Sequence, residues 1–220
     1  MNTPRRTRNR KAAPRLALAL AGGGPLGAIY EIGALCALDA CLPGLDLNRC
    51  DHYVGVSAGG FIAAGLANGM TPRELRDAFI DDRPGPQSFD PSWLLKPAWG
   101  ELAGRAARVP GLSASALQAW LLQGKSFTSA FERLGAALPT GVLDNEAIHR
   151  QIERLFSLPG RTNDFRQLGT KLTLVATELD SGEAAPFGQP GWDHVPISRA
   201  IQASAALPGL FPPVCIDGQH

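Results

Sequence analysis

Twice near its amino end this chain runs a short apolar segment into a glycine-rich turn and out into a helical pattern. Residues 16–21 enter Gly22-Gly23-Gly24-Pro25-Leu26-Gly27, and His52–Val56 enters Ser57-Ala58-Gly59-Gly60. Apolar runs this short, stopped by glycine, read as buried strands. The period then changes: Ile29, Ile32, Leu35, Cys36 and Ala40 recur near helical spacing through residues 26–40, and residues 61–68 form a small-residue helix halted by Gly69. Strand, glycine turn and helix, repeated, specify parallel strands joined by crossover helices. The fold class is therefore α/β with a mainly parallel central sheet.

The rest of the chain fits that frame. Thr71-Pro72-Arg73-Glu74 supplies a cap, an early proline and an acidic first turn for another helix. Amphipathic helices are predicted over residues 114–123 and 144–156, and a strand over Lys171–Thr177. Residues 178–187 read as a hairpin or crossing turn with Ser181-Gly182 at its tip. A helix over 197–206 ends at Pro208-Gly209, and a strand over 214–216 meets Asp217-Gly218. Pro84, Pro86, Pro91, Pro97 and Pro110, with Trp93 and Trp99, mark a loop-rich insertion over residues 82–115.

At 220 residues and 45% apolar content the chain makes one domain with a core that needs no staple. Lys+Arg of 21 against Asp+Glu of 20 leaves a net charge of +1, which gives no footprint for nucleic acid. Cys36, Cys41, Cys50 and Cys215 form no CxxC pair and have no histidine at zinc spacing, so they read as buried free thiols and no metal is expected. Arg5, Arg6, Arg8, Arg10, Lys11 and Arg15 before an apolar run imitate a secretory signal. The apolar run is cut short by glycines, which favours a strand. Residues 1–13 then form a solvated basic arm, able to touch anionic lipid weakly. No stretch approaches the roughly 20 apolar residues of a membrane span. A cytoplasmic location with peripheral membrane contact is the expectation.

The chemistry concentrates in the two turns. Gly55-Val56-Ser57-Ala58-Gly59 places a serine between glycines where a strand turns into a helix, the nucleophile-elbow pattern. The plainer alternative is that Ser57 only caps the helix. Gly22, Gly23, Gly24 and Gly27 fit GxGxxG after a strand, which aims backbone N–H groups at negative charge. That charge is a pyrophosphate in a nicotinamide-binding oxidoreductase, with Asp46 or Asp51 as the ribose acid, or the oxyanion of an acyl-transfer intermediate. Neighbouring parallel strands bring both turns to the carboxyl edge of the sheet, so one can supply a nucleophile and the other anion donors.

With GGGPLG at 22–27, GVSAGG at 55–60, ATELDSGEAAPFG at 176–188 and AIQASAALPGLFPPV at 200–214, the chain resembles the patatin-like phospholipase family over residues 16–217. The resemblance implies a three-layer sandwich and a lipid acyl hydrolase of the phospholipase A or esterase type. It implies a Ser–Asp dyad with Ser57 as nucleophile, an oxyanion hole from the amides of Gly22, Gly23 and Gly24, and no cofactor. The substrate would be a phospholipid or another fatty-acyl ester. The chain departs from the family at Leu26, where a basic residue is usual, and Pro25 has no N–H to donate.

The family's base is an aspartate in an Asp-Gly motif, and Asp217-Gly218 is the candidate here. The same residues also read as a two-residue hairpin turn. In that register the base follows His220, and the chain is a fragment ending just before it. A triad through His194 or His220 is a further alternative; His52 lies at the wrong end of its strand, and His149 and His194 read as surface residues. A carboxylate is a weak base at its ordinary pKa, so the site is expected to be water-poor and mostly enclosed. Trp93, Trp99 and Trp120 are candidates for a lipid-facing cap or for ordinary core. The rival from another class is a non-catalytic acyl-lipid-binding module of the same fold.

Overall fold

The computed structural model describes residues 15–81 and 143–220. The basic arm, the proline-rich insertion, the helix expected over 114–123 and the three tryptophans just named lie outside the described residues.

The described strands are β1 (Ala17–Leu20), β2 (His52–Val56), β3 (Lys171–Thr177) and β4 (Ala184–Phe187), in that spatial order. β1, β2 and β3 are parallel, with Leu20 opposite Gly55 and Val56 opposite Val175. β4 returns antiparallel to β3 across the turn at Ser181-Gly182, so the hairpin expected there is formed. The helices are α1 (Gly24–Cys41), α2 (Ala58–Ala67), α3 (Pro72–Phe79), α4 (Glu146–Phe156) and α5 (Ile197–Ser204). The result is the expected α/β class: one mostly parallel sheet flanked by helices.

α2 is the centre of the core. Every residue from Gly59 to Leu66 is buried, and the helix packs across β1, β2 and β3. Burial on all sides suits its composition, since small apolar residues let helix and sheet approach closely. The approach is tight enough to forbid side chains at two glycines. A Cβ on Gly55 would stand 2.5 Å from the Gly60 Cα, and one on Gly59 would overlap the Ala21 carbonyl oxygen. α3 opens with the expected capping box: Thr71 Oγ1 accepts from the Glu74 N–H at 3.2 Å, and the Glu74 carboxylate accepts from the Thr71 N–H at 2.8 Å.

Some expectations need correction. Residues 214–216 form no strand; a single bridge joins Ile216 to Gln219 instead. The chain turns back at Asp217-Gly218 straight after Ile216, so the pairing stops at one rung, and Pro212-Pro213 just before the segment have no N–H to extend it. All four cysteines are free, but only Cys50 is buried, Cys36 is half-buried, and Cys41 and Cys215 are exposed. His149 is not a surface residue: its side chain is 14% exposed. It lies on α4, against which α5 packs, and Arg199 of α5 is close enough to act on its charge.

Candidate active site

The carboxyl ends of β1 and β2 lie side by side, and each strand passes straight into its glycine turn. At the β2 turn Ser57 has φ 53° and ψ −121°. A non-glycine residue holds such a conformation at a cost of about 1–3 kcal/mol, and sites of this kind cluster where chemistry is done. Ser57 occupies the N-cap position of α2, yet its side chain makes no capping hydrogen bond. Capping alone therefore does not account for the residue. Among the described residues the Ser57 hydroxyl has no hydrogen-bond partner.

The β1 turn comes up against this serine. A Cβ on Gly22 would stand 3.3 Å from the Ser57 Cβ, so the two predicted turns form one site. Gly24, at φ 59°, opens α1, and Pro25 sits in its first turn, where a missing N–H loses nothing. The N–H of Gly27 donates to the Gly23 carbonyl at 3.0 Å and so closes the loop internally. The N–H groups of Gly22, Gly23 and Gly24 have no partner among the described residues. Ala58 and Gly59, at the start of α2, add N–H groups that also have no partner among the described residues. Two helices, each with partial positive charge at its N-terminus, thus start from the two facing turns.

The expected enclosure is absent among the described residues. Gly22, Gly23 and Gly24 are exposed and Ser57 is half-buried. Leu26 and Tyr30, in the first and second turns of α1, are 81% and 78% exposed. Loop and helix start project from the edge of the sheet, beyond the reach of its packing.

Asp217 is held differently. It has φ 51°, Gly218 has φ 82°, and Ile216 and Gln219 exchange both backbone hydrogen bonds across them. This is the two-residue hairpin turn that the sequence offered as one reading. The Asp217 carboxylate is 2.8 Å from His194 Nε2, and both side chains are largely exposed. Among the described residues no hydrogen bond joins Asp217, His194 or His220 to Ser57. His52 lies at the opposite end of β2, with Nε2 2.9 Å from Thr173 Oγ1.

Two features were not foreseen. Glu31, on α1, accepts the Ala21 N–H at 2.8 Å through Oε1, while Oε2 is buried with no partner. Burial pushes its carboxyl above the ordinary value, against the lowering effect of the Ala21 hydrogen bond. The other is Ser204, whose hydroxyl accepts the Ser57 N–H at 2.8 Å.

An α/β sheet with a strained serine at a strand–helix turn, faced by a glycine loop, defines a class of protein. The chain belongs to the patatin-like phospholipase family, whose model matches residues 18–220. Similar solved structures include VipD from Legionella pneumophila, 19% identical with a TM-score of 0.44, covering 91% of this chain and 44% of that one. Full-length ExoU from Pseudomonas aeruginosa, solved in complex with full-length SpcU, is 20% identical with a TM-score of 0.42, covering 90% of this chain and 39% of that one. This chain thus spans less than half the length of those proteins. No curated protein matches it. Among the described residues no helix is long and apolar enough to cross a membrane.

Proposed function

We propose that this chain is a lipid acyl hydrolase, of phospholipase A or esterase type, with Ser57 as its nucleophile. The observation that carries the reading is the strained Ser57 backbone, with a hydroxyl and glycine-loop amides beside it that have no partner among the described residues. Family membership supplies the substrate class, a phospholipid or another fatty-acyl ester. Ser57 Oγ attacks the ester carbonyl and its proton passes to an aspartate carboxylate. The tetrahedral oxyanion is held by the N–H groups of Gly22, Gly23 and Gly24. Collapse expels the alcohol, and water then releases the fatty acid from the acyl-enzyme. One such donor is typically worth ~10²–10³ in rate, so the loop matters nearly as much as the serine. Contact with a membrane surface is peripheral on this reading.

Asp217 is the Asp-Gly candidate for the base. Its turn geometry and its His194 partner favour a second reading, an acyl-binding module of low turnover. One experiment separates the two: intact mass after treatment with a fluorophosphonate ester, on the wild type, Ser57→Ala and Asp217→Asn. A stoichiometric adduct lost in Ser57→Ala supports the hydrolase, and its further loss in Asp217→Asn assigns the base. A folded wild-type chain that takes no adduct refutes an activated serine and leaves the binding module.

A further inference from the structure

β2 and β3 are in parallel register, with Val56 opposite Val175. Extending that register by one residue sets Ser57 opposite Ala176, and the next rung of the ladder would run from the Ser57 N–H to the Val175 carbonyl. The rung is not made directly, because β2 turns away at the elbow. The Ser204 hydroxyl stands in the gap. It accepts from the Ser57 N–H at 2.8 Å and donates to the Val175 carbonyl at 2.6 Å. A hydroxyl carries one donor and two acceptor sites, so a single side chain completes both backbone groups. Ser204 ends α5 and lies 147 positions from Ser57 in the chain.

The point of insertion is also the point of strain. A residue at φ 53° and ψ −121° keeps that conformation only where its surroundings over-determine it. Gly55 and Gly59 give the elbow room to turn; they do not hold its amide. Ser204 does, and it engages the Ser57 backbone N–H, not the hydroxyl. We propose that Ser204 is a positioning residue: its hydroxyl replaces the missing rung, fixes the elbow against β3 and so sets where Ser57 Oγ points. The proposal rests on Ser57 being the nucleophile.

The test compares the wild type, Ser204→Ala and Ser204→Thr by two readouts. Fluorophosphonate labelling over a range of probe concentrations separates probe binding from bond formation, and hydrogen exchange reports the Ser57 amide. The expected result for Ser204→Ala is unchanged probe binding, bond formation slowed ~10–100-fold, and faster amide exchange; displacement of a reacting group by about 1 Å is worth ~10². Ser204→Thr keeps the hydroxyl and should restore both. If Ser204→Ala melts below the assay temperature, Ser204→Cys takes its place, since a thiol is a weak donor and acceptor. Labelling and exchange at wild-type rates in the hydroxyl-free variant overturn the proposal. A wild-type chain that does not label sinks the hydrolase reading instead. Exchange then decides alone: faster in Ser204→Ala and restored by threonine sustains the hold, and no change overturns it.

Discussion

A methyl group on Gly59 has nowhere to go. An ideal Cβ there would overlap the Ala21 carbonyl oxygen and stand 2.6 Å from the Leu20 carbonyl carbon. These obstacles are main chain at the end of β1, so no side-chain rotation relieves them; α2 must slide off the sheet or β1 must shift. Overpacking of a core typically costs about 1–3 kcal/mol, and a backbone obstacle belongs at the upper end. Alanine returns up to about 1 kcal/mol through helix propensity. The net expectation for Gly59→Ala is a loss of about 2 kcal/mol. At ~2–4 °C per kcal/mol for a domain of this size, Tm should fall by ~4–8 °C. Gly33→Ala is the matched control: Gly33 lies inside α1, exposed, with nothing within 4 Å of its Cβ position. That change should raise stability by about 0.5–1 kcal/mol. Thermal melts of both variants by circular dichroism are sufficient. A Gly59→Ala protein that melts at or above the wild type, as the control should, would refute the close approach of α2 to β1.

Three further outcomes follow from charge and backbone. Burial raises the Glu31 pKa above 4.5, so the stability this group contributes is complete below that value and is lost as pH rises through the raised one. Glu31→Gln should therefore gain on the wild type as pH rises from 4.5, and urea midpoints of the two that stay parallel would contradict it. Burial lowers the His149 pKa below 6.5, helped by Arg199 and opposed by Glu153 and Glu146. Its stability is present above 6.5 and lost as pH falls through the lowered value, so His149→Asn should flatten the acid limb of a denaturation profile. At Asp217, asparagine tolerates the left-handed backbone, whereas valine should weaken the turn by about 1–2 kcal/mol, read as faster hydrogen exchange at Ile216 and Gln219. Loss of the exposed His194 partner in Asp217→Asn should contribute about 0–1 kcal/mol at most.

The sheet was legible because its strands obey local rules. His52–Val56 and Lys171–Thr177 begin and end where the apolar runs do. Helix starts were less so. α1 begins at Gly24 and α2 at Ala58, each earlier than the apolar periodicity suggests, because the turn glycines themselves enter the first turn. The two glycine turns could be matched from the sequence, since parallel neighbours must bring them to one edge. The partial burial of His149 and Glu31 could not, because it depends on which helix face another element covers. Ser204 was out of reach for a different reason. Its motif was visible, but its partners are set by a register between β2 and β3 and by where α5 ends.

Those same contacts bear on what Leu26 changes. A basic residue at that position would place a full charge beside the loop; here an 81% exposed leucine stands there instead. Of the nearby backbone donors, Ala21 is committed to Glu31 and Gly27 to Gly23, and Pro25 has none. Among the described residues, what remains for an oxyanion is the set of neutral amides of Gly22, Gly23, Gly24 and Leu26, with those that open α2. On the proposed reading, charge stabilisation then rests on fixed dipoles, whose worth depends on how rigidly they are aimed. A point charge tolerates an error of direction better than an N–H does. A loop that lacks the charge therefore demands more of its scaffold. The tight seating of Gly59 on β1 and the Ser204 hydroxyl bridging the elbow to β3 are both rigid supports of that kind.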